Sequence, residues 1–263
     1  MTQPLFFTPG MAQLDAIVRP GMLCAFDFDG TLANITALPE AAMTLPALLA
    51  GLRELCSLTP VAVITGRSID DVRRRLGFAP AHVVGNHGAE GLPGWERDAL
   101  AQRGDVAAWL RVFARESGPW REPGIQIEDK GGSLSVHYRH ASDPRAAEAA
   151  LGARLRLLSP RPRVVGGKAV FNLVPESAPD KGVALRALMT LCGTDAAFYA
   201  GDDVTDEDVF ALRDPRVFCL RVGAEPDSAA DWQVGAPADM RAVVEALLLR
   251  LRHAQHPSQR GAP

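Results

Sequence analysis

The stretch that most restricts this chain is Leu23-Cys24-Ala25-Phe26-Asp27-Phe28-Asp29-Gly30-Thr31-Leu32. Its first half is apolar without alternation, the pattern of a parallel strand covered on both faces. The run stops at two aspartates spaced i, i+2 and followed at once by Gly-Thr. Two carboxylates at the carboxyl end of a buried strand stand where open α/β sheets carry their chemistry. Holding them together is costly unless a cation or strong donors offset their repulsion. Gly30 permits the tight turn that would aim both at one point. Read alone, Asp-Gly-Thr is equally a plain turn with Asp27 as a cap, so the rest of the chain has to decide.

The same pattern recurs. Val61-Ala62-Val63-Ile64 reads as a second buried strand ending in Thr65-Gly66-Arg67. Ser68 with Asp71 three residues later resembles a capping box, so a helix opens there and a hydroxyl faces its N-terminus, a favourable place for an anion. His82-Val83-Val84 is a third short strand, leading into Gly85-Asn86-His87-Gly88. Ala196–Ala200 is another, terminating in Gly201-Asp202-Asp203-Val204-Thr205-Asp206-Glu207-Asp208, and Val217–Val222 is one more. Leu48, Leu49, Leu52, Leu55 and Cys56 recur at helical spacing, Pro179-Asp180-Lys181-Gly182 opens a helix to Leu191, and Met240–Leu251 is amphipathic. Asp202 follows its strand through a single glycine, whereas Glu207 and Asp208 read as the solvated first turn of a helix capped by Thr205. Strand-end aspartates can converge on a hard cation that keeps several waters, the habit of Mg²⁺. Lys181 is the available counter-charge.

From about Glu90 to Asn172 the character changes. A helix is predicted over Asp98–Glu116, then Gly124-Ile125-Gln126-Ile127-Glu128-Asp129-Lys130. Ser133–Arg139 alternates cleanly, as a strand with one wet face does. A helix over Pro144–Leu158 and strands around Arg163–Val165 and Ala169–Val174 complete a separate α+β lid inserted between parallel strands. Residues 1–21 read as a lead-in with at most a short helix, and the Pro-, Gln- and Ser-bearing tail from His253 as frayed.

Composition excludes several classes. The net charge of −3 leaves no global basic surface for nucleic acid. Cys24, Cys56, Cys192 and Cys219 lie in apolar stretches without CxxC spacing, which reads as buried reduced thiols in a cytoplasmic protein. No apolar run approaches the ~18 residues of a membrane span, and Leu5-Phe6-Phe7 lacks the basic flank of a signal peptide.

Taken together, DxDGT, a strand-end Thr, a Lys at a helix start and GDDxTDED resemble the phosphotransferases of the haloacid-dehalogenase superfamily in order and context. The spelling ITGR, GNHGAE, EDKG…HYR, GK, DKG and GDDVTDED is similar to the trehalose-6-phosphate phosphatases over about Cys24–Phe210. The resemblance implies a Rossmann-like α/β parallel-sheet core, residues 1–88 and 174–263, with an inserted α+β cap over 89–173. It implies a Mg²⁺-dependent phosphoric monoester hydrolase acting on trehalose 6-phosphate. Asp27 would be the nucleophile, forming an aspartyl-phosphate, and Asp29 the general acid and base. Asp27, the main-chain carbonyl of Asp29 and Asp202 would hold the metal. Thr65 and Lys181 would hold phosphoryl oxygens, and Asp206 would orient a metal water or Lys181. Gly66, Arg67, Asn86, His87, Glu128, Lys130 and Asn172 are the implied substrate-binding residues. Among them Arg67 either contacts substrate or pairs locally, and His87 shapes the hinge between core and lid. Asn172 stands where the family usually has Glu after its Gly-Lys; the amide can donate and accept but lacks the charge. His137 on the strand's wet face reads as structural, and the four tryptophans have no spacing that favours sugar stacking over packing. The implied partner is a small-molecule sugar phosphate, with no nucleic acid or membrane, and the protein is expected as a monomer. The alternatives are a phosphatase of sucrose phosphate, mannosyl-phosphoglycerate or hexose phosphates, or a non-catalytic phosphate-binding protein on the same fold.

Overall fold

The computed structural model describes residues 2–36, 38–167, 169–225 and 227–255. Lys168 of the Gly-Lys pair and the tail beyond residue 255 lie outside them. Two compact units form: one from Met1–Thr65, Asp70–Val84 and Asp180–Pro263, the other from Gly66–Ile69 and Gly85–Pro179. Gly85–Gly88 and Val174–Pro179, read with the core from the sequence, group with the second unit.

In chain order the elements begin with β1 (Gln3–Pro4), α1 (Thr8–Ile17), β2 (Leu23–Phe26), α2 (Pro46–Leu58), β3 (Val61–Ile64), α3 (Ile69–Leu76) and β4 (His82–Val84). The middle of the chain forms α4 (Glu96–Arg115), β5 (Gln126–Asp129), β6 (Leu134–His137), α5 (Pro144–Leu155), β7 (Pro162–Gly167) and β8 (Val170–Pro175). It closes with α6 (Lys181–Leu191), β9 (Ala197–Gly201), α7 (Glu207–Phe210), β10 (Val217–Val222), β11 (Trp232–Val234) and α8 (Met240–Gln255).

In the first unit the strands pair in the order β1-β11-β10-β9-β2-β3-β4, all parallel. The chain steps outward from β2 through β3 to β4. It then returns beside β2 as β9, with Leu23 opposite Ala197, and steps outward the other way. The strand order therefore reverses between β2 and β9, the position at which doubly wound sheets open a crevice for ligands. Alternate residues Cys24, Phe26, Val61, Val63, Phe198, Phe218 and Leu220 join Leu48, Leu52 and Leu55 of α2 and Val243, Leu247 and Leu251 of α8 in one core. Leu23, Ala25, Ala62, Ile64, Ala197 and Tyr199 are equally buried on the opposite face. Burial on both faces is why these runs show no alternation.

The second unit is an antiparallel sheet in the order β5-β6-β8-β7. Leu134, Val136, Phe171 and Leu173 pack with Val106, Trp109 and Phe113 of α4 and Leu151 and Leu155 of α5. That clustering leaves the other sheet face to the polar residues. Trp109 and Trp120 are core residues here, and Trp232 is one in the first unit. The cysteines are free thiols, and burial pushes Cys219 up to about 12, so it stays protonated. No helix among the described residues is long and apolar enough to cross a membrane.

Candidate active site

The end of β2 is held in register up to its last residue, since the Asp27 N–H donates to the Ala200 carbonyl at 2.8 Å. The chain then folds back on itself: the Leu32 and Ala33 N–H groups both donate to the Phe28 carbonyl at 2.9 Å, and Gly30 adopts φ +80°. A Cβ on Gly30 would lie 2.0 Å from Asp202 Oδ2, and one on Gly201 would lie 2.1 Å from Asp206 Cγ. The two glycines let carboxylates from the ends of neighbouring strands close on one another. Oxygens of Asp27, Asp202 and Asp206 lie within 4.8 Å of each other.

One ammonium serves this group. Lys181, 1% exposed at the start of α6, donates to Asp27 Oδ1 at 2.8 Å and to Asp206 Oδ1 at 2.7 Å. Burial opposes its charge, but Asp206 and Asp27 overcome that and hold it well above the usual lysine range. Asp206 is fully engaged: Oδ1 also accepts from the Tyr199 hydroxyl at 2.5 Å, and Oδ2 accepts from the Asp203 N–H at 2.9 Å. Burial pushes the Asp27 carboxyl up. Lys181 pulls it down, Asp206 and Asp202 push it up again, and it stands well above the ordinary aspartate range. Asp202 is pushed up to about 7 by burial and by the Asp206 charge.

Three carboxylates against one lysine leave the cluster short of positive charge, and the buried Asp202 Oδ1 has no hydrogen-bond partner. An all-oxygen donor set, uncompensated negative charge and an orphaned carboxylate oxygen suit a hard divalent cation. Asp206, with both oxygens already taken by donors, fits the orienting of Lys181 better than metal ligation. Asp29 lies in the tight loop two residues past Asp27, partly exposed. Thr65, 1% exposed, lies just past the end of β3, the neighbour of β2, with its N–H on the Val84 carbonyl at 2.9 Å.

In the second unit a polar row runs across the sheet. Glu128 of β5 is opposite Ser135 of β6, which is opposite Asn172 of β8. Ser135 Oγ donates to Asn172 Oδ1 at 2.7 Å, and His137 Nε2 lies 2.9 Å from Glu128 Oε2. Lys130 begins the turn beyond β5, its N–H donating to the Ser133 carbonyl at 3.0 Å. Asn86 is fully buried, its amide nitrogen bonded to Glu90 Oε2 at 2.9 Å and its oxygen accepting from Ser133 Oγ at 2.9 Å. The next residue, His87, stacks its ring where a Cβ on Gly66 would meet it at 2.3 Å. The Arg67 carbonyl accepts the Asn86 N–H at 2.8 Å. The implied substrate residues thus belong to one unit, but Asn86 has no exposed surface to offer.

The family model for trehalose-phosphatase matches residues 25–234. The chain belongs to this family. A trehalose-phosphate phosphatase of Mycobacterium tuberculosis is 34% identical over 255 residues, covering 91% of this chain and 64% of that protein. This chain therefore spans less than two thirds of such a relative's length. The C-terminal domain of a Candida albicans trehalose-6-phosphate phosphatase superposes with a TM-score of 0.70 at 21% identity, covering 96% and 98% of the two chains. A trehalose-6-phosphate phosphatase of Aspergillus fumigatus gives 0.60 at 25% identity, covering 95% and 99%.

Within this trehalose-phosphatase fold, four contacts at the site are not foreshadowed by the sequence. Tyr199 is a core residue by pattern, yet its hydroxyl is a donor to Asp206. Arg221 is a lone cation inside the apolar run of β10, opposite Gly201 in register. It donates to Glu207 Oε1 at 3.0 Å and to the Asp203 carbonyl at 3.2 Å. Glu207 Oε2 in turn accepts the Ala229 N–H at 2.8 Å. Glu207, read from the sequence as a solvated first-turn acid, is instead a brace between the acidic loop and β10. The signal available in the sequence was Arg221 itself, since a charge in a buried strand must find a partner.

Proposed function

We propose that this protein is a Mg²⁺-dependent phosphatase that hydrolyses trehalose 6-phosphate to trehalose and phosphate. The observation that carries the reading is the buried Asp27–Lys181–Asp206 ion cluster at the β2/β9 switch point, with Asp202 beside it, in a chain of this family. Lys181 occupies Asp27 Oδ1, so the other carboxylate oxygen attacks phosphorus, the P–O bond to the sugar breaks, and an aspartyl-phosphate forms on Asp27. This splits one hard displacement into two. Asp29 gives a proton to the departing sugar oxygen, then takes one from the water that hydrolyses the acyl phosphate. Thr65 and Lys181 hold phosphoryl oxygens while Asp206, itself held by the Tyr199 hydroxyl, fixes Lys181. Asp27, the Asp29 carbonyl and Asp202 are the residues that would hold Mg²⁺, which when bound neutralises charge on the transferring group.

Sugar recognition belongs to the polar face of the second unit. Glu128, Lys130 and Asn172 supply fixed donors and acceptors of the kind a polyhydroxyl ligand needs, with Gly66, Arg67 and His87 in the same unit. Phosphate release from trehalose 6-phosphate, sucrose 6-phosphate and glucose 6-phosphate, with and without Mg²⁺, tests the reading. Faster turnover of either competitor overturns the sugar assignment and leaves the chemistry standing. No Mg²⁺-dependent release from any of them overturns the enzyme.

A further inference from the structure

Asn86 sits in an unusual piece of backbone. Asn86, His87 and Gly88 have φ values of +50°, +58° and +113°, three consecutive residues in the left-handed half of conformational space. Asparagine is among the few side chains that tolerate this region, because its short amide bonds locally. Such strain persists only where surrounding contacts over-determine it. Here they do. The Asn86 N–H donates to the Arg67 carbonyl at 2.8 Å, and its carbonyl accepts the Ala89 N–H at 3.2 Å. Its amide nitrogen donates to Glu90 Oε2 at 2.9 Å and to the Lys130 carbonyl at 3.3 Å. Its amide oxygen accepts from Ser133 Oγ at 2.9 Å. Both amide hydrogens are spent, and the residue is 0% exposed.

The far end of these bonds is the turn between β5 and β6. That turn is Lys130-Gly131-Gly132-Ser133, with Gly131 at φ +77°. Within the turn, the Gly131 N–H donates to Asp129 Oδ1 at 2.8 Å, the Gly132 N–H to the Lys130 carbonyl at 3.0 Å and the Lys130 N–H to the Ser133 carbonyl at 3.0 Å. Two adjacent glycines contribute no side-chain packing and have the most backbone freedom to lose on ordering. Asn86 approaches this turn so closely that a Cβ on Gly132 would lie 3.2 Å from its amide nitrogen. Glu90, which grips the same nitrogen, also accepts the Ile69 N–H at 3.0 Å and so caps the start of α3.

We infer that Asn86 is a positioning residue for sugar selectivity: it touches no substrate, and anchors the Gly-Gly turn so that Lys130 is presented in one place. The selectivity half of this inference rests on the proposed role of Lys130; the anchoring half does not. Remote binding groups act on the reacting centre by orienting it, and a misplacement of about 1 Å can cost about 10²-fold in rate.

Two measurements on the full chain with Mg²⁺ separate the halves. Backbone amide hydrogen exchange of the ligand-free protein reads the anchor. Asn86→Ala should speed exchange across residues 130–133 at least tenfold, with Ser133→Ala, which removes a single bond, giving a smaller change in the same place. Unchanged exchange in both variants overturns the anchor, and Ser133→Ala decides alone if Asn86→Ala does not fold. Kinetics on trehalose 6-phosphate and p-nitrophenyl phosphate read the consequence. Asn86→Ala and Lys130→Ala should each lose kcat/KM on the sugar phosphate at least tenfold more than on the small ester. The double variant should be no worse than Lys130→Ala alone within about twofold, because residues acting through one another are not additive. Multiplicative losses would show that Asn86 acts independently of Lys130 and overturn the inference. Wild-type selectivity in Lys130→Ala would overturn the sugar reading and the selectivity claim together, while the exchange data would still judge the anchor.

Discussion

The two polar clusters of this molecule are built in opposite ways. In the first unit, Asp27, Lys181 and Asp206 are almost without exposure and their charges are committed to one another. In the second, the Glu128 and His137 side chains pair with 52% and 32% of their surface exposed, at the open end of a polar sheet face whose Ser133 and Ser135 are buried, not wet as the alternation of Ser133–Arg139 predicts. A buried ion cluster is rigid because removing any partner strands a charge, whereas a surface pair contributes about 0–1 kcal/mol and can be exchanged cheaply. On the proposed function, the contrast separates what must not vary, the placing of a nucleophile, from what can vary, the choice of leaving group.

The largest effect should follow from Asp27→Asn. An amide of the same shape is a poor nucleophile, so turnover should fall to assay background with the fold retained by circular dichroism. Near-native turnover would break the comparison by removing the chemistry from the buried cluster. Asp29→Asn should come next, losing about 10²–10⁴-fold in kcat through the missing general acid. It should still bind Mg²⁺ by calorimetry, since the main-chain carbonyl is the proposed ligand there; a folded variant that binds none would reassign the metal site.

A smaller effect concerns the uncompensated charge. Asp202 rises from 3.8 to about 7 in the metal-free protein. The folded state therefore holds a proton that the unfolded chain gives up, and its stability should fall as pH rises from about 4 to 7, by at most about 1.4 kcal/mol per pH unit. If Mg²⁺ binds there as proposed it would replace that proton, so the rise in Tm caused by Mg²⁺ should grow between pH 5 and pH 8 in a scanning fluorimetry series. A Mg²⁺-induced rise independent of pH would mean that the cation does not bind beside Asp202. The smallest effect is expected at Asn172, on the polar face of the second sheet. Asn172→Glu should still accept from Ser135 and change kcat/KM for trehalose 6-phosphate by less than about tenfold, or about 1.4 kcal/mol. Loss of folding would show that this face is as tightly determined as the other.

Much of the first cluster was legible in the sequence because β2, β3 and β9 each end abruptly in a polar residue. Asp27, Thr65 and Asp202 are one strand-end signal repeated, and Lys181 sits just inside a helix start capped by Asp180. Glu207 and Tyr199 were not legible, since their partners are chosen by parallel register rather than by neighbours in the chain. Arg221 reaches Glu207 only because β10 lies beside β9. The short strands β1 and β11 were missed for a related reason. Two and three residues are too few to show a period; β11 exists because β10 offers an edge to pair with, and β1 because β11 does in turn. Asn86 was legible as important and illegible in role: only the structure shows that its amide is already spent inside the protein.

The insertion of the second unit between β4 and α6 also has a consequence for how the protein is made. All four strands of the second unit's sheet lie between Gln126 and Pro175, whereas the first unit needs chain from both sides of that stretch. As the polypeptide leaves the ribosome, the second unit can complete its sheet while β2, at the centre of the other sheet, still lacks its neighbour β9. Lys181 and Asp202 reach Asp27 only after that pairing closes, a contact of very long sequence separation and hence a slow one. A nascent chain can therefore carry the polar row of Glu128, Ser135 and Asn172 before the buried ion cluster around Asp27 exists.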